Sequence, residues 1–168
     1  MAVMIKAFFF AFLATVAFGI IFQGPKKVLW QSGLIGAVGW VVFTTLKYDY
    51  GIGSFTANFL ATVMVSLLSE ICARTFQQPA TVFNIPAVIP LVPGLGMYQG
   101  MHLILLDDMA RGSEVLVHAG LDACAIALGI MMVSGAFRAF KTGADLALFR
   151  KRKRREARER EEREREDS

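Results

Sequence analysis

His118 and Asp122 are the two residues whose types and spacing most directly suggest chemistry. They are four positions apart in a long apolar run, so on a helix they share one face. An acidic side chain inside a membrane span is costly and usually functional. An imidazole and a carboxylate at this spacing can relay a proton or contact a cationic group. We predict a proton or polar relay here; the alternative is a pair near the outer interface that only forms a hydrogen bond.

A second group of candidates lies in the apolar stretch from Phe83 to Met101, which contains three prolines and three glycines. Each interior proline costs a helix roughly 3 kcal/mol, and lipid cannot satisfy the freed backbone groups. The half-helix after a break has a partial positive charge at its N-terminal end, which suits an anion such as a carboxylate. The stretch therefore predicts either a substrate path or a kink that binds nothing. The path residues would be Asn84, Pro86, Pro90, Pro93, Gly94, Gly96, Tyr98 and Gln99.

A polar stripe precedes this stretch, with successive spacings of four, four and three residues, so its members lie along one side of a helix. Such a stripe either hydrogen-bonds neighbouring helices or lines a cavity, and the sequence leaves both interpretations open. Its members are Asn58, Thr62, Ser66 and Ser69.

Composition indicates an integral membrane protein, because 55% of the 168 residues are hydrophobic and the charges are concentrated at one end. Residues 150–168 contain 10 of the 18 Lys and Arg and 7 of the 14 Asp and Glu. No basic face with interleaved aromatic residues lies elsewhere, so we expect no nucleic-acid partner. No catalytic, cofactor or metal motif is present, and both Cys72 and Cys124 are expected to be small buried apolar residues.

The apolar runs predict an all-α membrane domain over residues 1–149, followed by a charged helical tail over 150–168. Five spans of about 20 residues fit, and the fourth is the one broken by proline and glycine. No small-x-small cleavage site of a signal peptide follows the first apolar run, so we expect this run to remain as a membrane span. Small residues at three- or four-residue spacing predict close helix packing in the second span (Gly33, Gly36, Gly39) and the fifth (Ala119, Ala123, Ala127). The spans are 4–22, 28–46, 55–73, 82–106 and 115–137.

Lysines and arginines near the span ends predict the orientation. Lys26, Lys27, Arg74 and the tail cluster lie on one side of a five-span protein, whereas Lys47 and Arg111 lie on the other. We therefore place the N-terminus outside and the C-terminus in the cytoplasm of a bacterial inner membrane. The basic block that begins the tail suits anionic lipid headgroups, and the tail otherwise serves as a solvated anchor or a docking helix.

The segment from Arg74 to Met101, "RTFQQPATVFNIPAVIPLVPGLGMYQGM", resembles the signature of the threonine/serine exporter family. Two motifs together make the resemblance specific: Pro-Ala-x-x-Phe at Pro79 to Phe83 and Pro-Leu-Val-Pro-Gly at Pro90 to Gly94. The similarity extends over roughly Ile20 to Phe140 and is to the short, all-membrane subunit of the family. In the family this short half is either fused behind a longer half or encoded as a separate chain.

The resemblance implies a membrane subunit of a secondary exporter of small carboxylate metabolites. These would be threonine and serine, or a dicarboxylate such as succinate. It also implies a longer partner subunit, and we expect the assembly to be a hetero- or homo-oligomer. The alternative is a structural subunit that stabilises a partner transporter without contacting substrate. Neither interpretation is an enzyme.

Overall fold

The structure, a computed structural model, describes the backbone of residues 2–166 and the side chains of residues 4–139. The described chain forms an all-helical fold, as predicted, with no strand in residues 2–166 and short turns between the helices. Six α-helices follow one another, with a 3₁₀ turn before the second, a π-helical turn after it and a 3₁₀ turn after the fourth. They are α1 (Ala2–Ile21), α2 (Leu29–Thr44), α3 (Ser54–Phe76), α4 (Ala80–Val88), α5 (Gly94–Leu105) and α6 (Met109–Glu166).

The prediction of about five membrane spans, the fourth of them broken, agrees with the helices of the structure. Within the described residues, four segments are long and apolar enough to cross a membrane: Met4–Ile21, Lys26–Asp49, Ser54–Phe76 and Met109–Ala139. A fifth span results if α4 and α5 form one bent span, with their axes 44° apart. The charged tail continues α6 as helical backbone to Glu166. The predicted lipid contacts of its side chains lie outside the described side chains.

The break in the fourth span is narrower than the interval from Pro86 to Gly96 in which the prolines and glycines predict it. Helix α4 continues through Pro86, a 3₁₀ turn follows at Ile89–Leu91, and α5 begins at Gly94. Val92 and Pro93 separate this turn from α5. The backbone of Val92 is extended (ψ 130°), as the residue before a proline tends to be. The chain therefore breaks at Val92 and Pro93.

A hydroxyl group from another helix lies beside the carbonyl group that Pro86 frees in α4. A proline has no N–H, so it leaves the carbonyl four residues earlier, that of Val82, without its helical donor. The buried Ser32 Oγ of α2 lies 3.5 Å from this carbonyl oxygen and 3.2 Å from its own Val28 carbonyl oxygen. The hydroxyl group has one hydrogen and lies closer to Val28, so it can donate to the Val82 carbonyl oxygen only in alternation with that of Val28.

Helix α2 is central, since α1, α3 and α4 all pack against it. The predicted glycine ridge explains the close approach. A methyl group on Gly33 would lie 2.6 Å from a ring carbon of Phe12 in α1. Similarly, Gly36 faces Thr15 of α1 and Gly39 faces Val65 of α3. These contacts leave no room for side chains on this part of α2.

The alanine ridge predicted for the fifth span is only partly right. Ala119 is buried, but Ala123 and Ala127 are exposed. Four-residue steps advance about 40° around a helix, and here they lead away from the packed side of α6. The packed side instead includes Ile126 and Gly129.

Both cysteines were expected to be buried, and neither is. Cys124 is exposed on the surface of this chain, and Cys72 is only half-buried. The contacts divide the chain into two compact units, residues 1–133 and 134–168, and the sites described below lie within the first unit.

Gly33→Ala should destabilise the bundle by about 1–3 kcal/mol, because its methyl group overlaps Phe12 and Val16 of α1. Denaturant unfolding in detergent micelles measures the change. Gly120→Ala is the control, since its methyl group meets nothing within 4 Å and should leave stability unchanged or raise it slightly. Equal stability of Gly33→Ala and wild type would contradict the close α1–α2 packing.

Candidate functional site

A cavity of about 490 Å³ lies beside the break in the fourth span. The end of α2, the π-helical turn, the start of α3, the break itself and the first part of α6 surround it. Several predicted candidates meet here although they are far apart in sequence. Its lining comprises Trp40, Phe43, Lys47, Tyr48, Ser54, Asn58, Pro90, Leu91, Val92, Pro93, Leu95, Gly96, Gln99, Val115, His118, Ala119 and Asp122.

The π-helical turn Thr45–Asp49 brings a lysine into this cavity. The turn is closed by the Tyr50 N–H, which donates to the Thr45 carbonyl oxygen five residues earlier at 3.2 Å. Such one-turn insertions are frequent at functional sites. The half-buried Lys47 Nζ lies 5.3 Å from the centre of the Phe43 ring, at cation–π distance.

A chain of hydrogen bonds joins the cation to an acid across three parts of the bundle. Lys47 Nζ donates to Ser54 Oγ at 3.2 Å, and Ser54 Oγ donates to Asp122 Oδ2 at 2.7 Å. The three side chains are all half-buried. Charge-assisted hydrogen bonds of this kind are stronger than hydrogen bonds between neutral groups. Asp122 is therefore compensated by a lysine through a hydroxyl group.

The predicted pairing of Asp122 with His118 is not what the structure displays. His118 also lines the cavity, but it is exposed, and no hydrogen bond to it occurs among the described residues. Ser54 was not among the predicted site residues, and Lys47 was used only to predict the orientation in the membrane. The available signal was the position of Lys47 at the end of a span, where its long side chain can turn back into the bundle.

The structure distributes the predicted path residues among three environments. Pro90, Pro93, Gly96 and Gln99 line the cavity beside the break. Tyr98 is exposed and stacks on His102 with ring centres 5.9 Å apart. Gly94 begins α5, and a methyl group on it would meet nothing within 4 Å. Asn84 and Pro86 lie elsewhere, on α4.

Pro86 lines a second cavity of about 410 Å³, at the other end of the bundle. The α1–α2 connection and the start of α4 form its walls. Polar lining comes from Gln23 and Thr81. The two cavities thus lie near opposite ends of the bundle.

The predicted polar stripe of α3 lies inside the bundle, where all four side chains are buried. Ser66 Oγ donates to Asn84 Oδ1 of α4 at 3.4 Å. Three other atoms have no hydrogen-bond partner in the described part of the chain: Asn58 Oδ1, Thr62 Oγ1 and Ser69 Oγ. Asn58 also lines the first cavity. The stripe is thus only partly used for contacts between helices.

The first cavity offers complementary charges to a small molecule. The first turn of α5 contributes Leu95 and Gly96 to the lining, and the free N–H groups of a helix start favour an anion. Lys47 adds a full positive charge, and Asp122 can accept hydrogen bonds from an ammonium group. This arrangement suits binding and release of a small polar solute.

The family profile described as "Threonine/Serine exporter, ThrE" matches residues 7–136. The chain is 26% identical over 105 residues to a threonine/serine exporter of Corynebacterium glutamicum, which covers 61% of this chain and 22% of that protein. It is 28% identical over 92 residues to an uncharacterized protein of Haemophilus influenzae, which covers 55% of this chain and 31% of that protein. The chain thus spans less than a third of either relative, and no solved structure matches it.

Ser54→Ala should reduce stability by about 1.5–3 kcal/mol, because it removes the hydroxyl group that joins Lys47 to Asp122. Unfolding in detergent micelles reports the loss. Ser113→Ala is the matched control, since the Ser113 hydroxyl group is exposed and donates only to the Ala110 carbonyl oxygen. If both variants unfold alike, the Lys47–Ser54–Asp122 chain contributes nothing to the fold.

Proposed function

We propose that this chain, a member of the threonine/serine exporter family, is the membrane subunit of a secondary exporter of small carboxylate-bearing metabolites. The cavity beside the helix break is the observation that carries the proposal. There the first turn of α5 and Lys47 suit a carboxylate. Threonine and serine are the first candidates, and a dicarboxylate such as succinate is the second.

The charges that line the cavity favour an amino acid over a dicarboxylate. An α-amino acid carries one carboxylate for Lys47 and the α5 start, and one ammonium group for Asp122. A dicarboxylate would bring a second negative charge towards Asp122. The two carboxylates would repel each other unless one of them bound a proton. The amino acid therefore leaves fewer charges uncompensated.

The transport mechanism we propose is alternating access, in which the break forms part of the substrate site. The site would be reached through the first cavity in one state and through the second cavity in the other. Asp122 and His118 are the candidates for proton coupling, since both line the first cavity.

We also propose a longer membrane subunit as the partner. In both curated relatives the segment matched by this chain makes up less than a third of the protein. A separate chain that supplies the remaining part would complete the path.

The proposed orientation places the N-terminus outside and the C-terminus in the cytoplasm of a bacterial inner membrane. The cavity with Lys47 and Asp122 then opens outward, and the cavity with Pro86 lies towards the cytoplasm. The basic block from Arg150 to Arg155 would meet the anionic headgroups of the inner leaflet.

Asp122→Asn should reduce export at least tenfold while expression stays unchanged, because the amide cannot compensate an ammonium group or bind a coupling proton. The measurement is efflux of labelled threonine, serine and succinate from cells that express this chain alone or with a candidate long subunit. Glu114→Gln, an exposed acid of the same helix outside the cavity, is the control and should export normally.

Two results of this assay would contradict the proposal. Unchanged efflux by Asp122→Asn would remove Asp122 from the mechanism. Absence of export for all three solutes, although both chains assemble, would favour the structural subunit that touches no substrate.

The orientation is tested by cysteine labelling in intact cells. Lys26→Cys and Tyr50→Cys are introduced one at a time after Cys72 and Cys124 are replaced by alanine. A membrane-impermeant maleimide added outside should label Tyr50→Cys and not Lys26→Cys, because these exposed residues lie at opposite ends of α2. Labelling of Lys26→Cys alone would reverse the proposed topology.

A further inference from the structure

The polar stripe of α3 contains the clearest unused chemistry in the described part of the chain. Asn58 and Thr62 are 1% and 0% exposed, and Ser69 is 0% exposed, yet each has a polar atom without a hydrogen-bond partner there. Buried polar groups in folded proteins are nearly always hydrogen-bonded, so three exceptions on one helix face require a reason. A second conformation in which these groups meet a polar solute or water would supply it.

The position of the stripe suggests what that conformation does. Asn58 lines the cavity beside the break, and the stripe continues for eleven residues to Ser69, roughly 16 Å along α3 at the usual helical rise. It therefore extends the first cavity towards the end of the bundle where α3 ends and α4 begins.

Helix α4 separates the stripe from the second cavity. Its Asn84 accepts a hydrogen bond from Ser66 of the stripe, whereas Pro86, two residues later, lines the second cavity. Residues two apart point to opposite sides of a helix. A tilt of α4 about the break at Val92 and Pro93 would uncover Ser66 and join it to the second cavity. Thr62, one turn earlier, packs against Gly129 of α6, so opening the path there also requires α3 and α6 to separate.

We propose that the stripe is the closed part of the substrate path between the two cavities, with α4 as the gate. The path groups are hydroxyls and amides, so they suit a small hydrogen-bonding solute whose charges are compensated. This inference rests on the proposed export function but makes a separate structural claim, that Asn58, Thr62, Ser66 and Ser69 meet solvent during transport.

Thr62→Val separates a path residue from a packing residue. The variant keeps the side-chain shape and removes a buried hydroxyl group without a partner, so it should unfold at the same or a higher temperature. Export, however, should fall at least fivefold. Thr75→Val is the matched control on α3, because the Thr75 hydroxyl group is exposed and donates to the Ile71 carbonyl oxygen. A stable Thr62→Val that exports at the wild-type rate would overturn the proposal.

Cysteine accessibility tests the path without any assumption about substrate. Ser66→Cys, Ser69→Cys and Ala61→Cys are made with the native cysteines replaced by alanine, and all three positions are fully or almost fully buried. A small water-soluble methanethiosulfonate is added to membranes open on both sides. The two stripe cysteines should react at least tenfold faster than Ala61→Cys, which lies beside the stripe on the same helix. Equal protection at the three positions would refute the path.

The two experiments distinguish this inference from the proposed function. Reactive stripe cysteines without export of threonine, serine or succinate would support the path and contradict the proposed substrates. Normal export by Thr62→Val together with protected stripe cysteines would leave the export function standing and reject the path.

Discussion

The constraint on which this structure depends is that lipid offers no hydrogen-bond donor to a freed backbone carbonyl. Pro86 frees the carbonyl of Val82, and the buried Ser32 hydroxyl group lies close enough to serve it. The contact lies where α2 packs against α4. The glycines of α2 allow α1 and α3 to approach the same helix. At Val92 and Pro93 the chain instead breaks, and there the backbone borders a cavity. Backbone groups freed by proline thus lie at two places, the contact of the central helix with α4 and the edge of the cavity.

The membrane spans could be predicted from the sequence, because span length and apolarity are local properties. The break was also visible, since proline and glycine act through their own backbone. The Lys47–Ser54–Asp122 chain was not predictable in this way. It depends on a π-helical turn and on contacts between residues up to 68 positions apart. The pairing of His118 with Asp122 followed from helical spacing alone, and spacing does not determine which neighbouring helix supplies a closer donor.

The alanine ridge illustrates the same limit. Ala119, Ala123 and Ala127 are equally small, but only the rotation of α6 against its neighbours decides which of them is buried. The polar stripe was recognised as one face, yet the sequence could not indicate whether its groups find partners. In the structure, Ser66 reaches Asn84 while three other atoms do not find a partner in the described part of the chain. Unequal use of similar residues is a property of packing.

The contact between Ser32 and Val82 has a consequence for biogenesis. The two residues are 50 positions apart, so at ordinary translation rates of about 5–20 residues per second α2 is synthesised roughly 3–10 seconds before its partner. During this interval the Ser32 hydroxyl group can remain bonded to the Val28 carbonyl oxygen of its own helix. The α1–α2 hairpin, whose contacts at Gly33 and Gly36 need no later segment, can therefore assemble first. The proline-containing helix α4 would then dock against this hairpin.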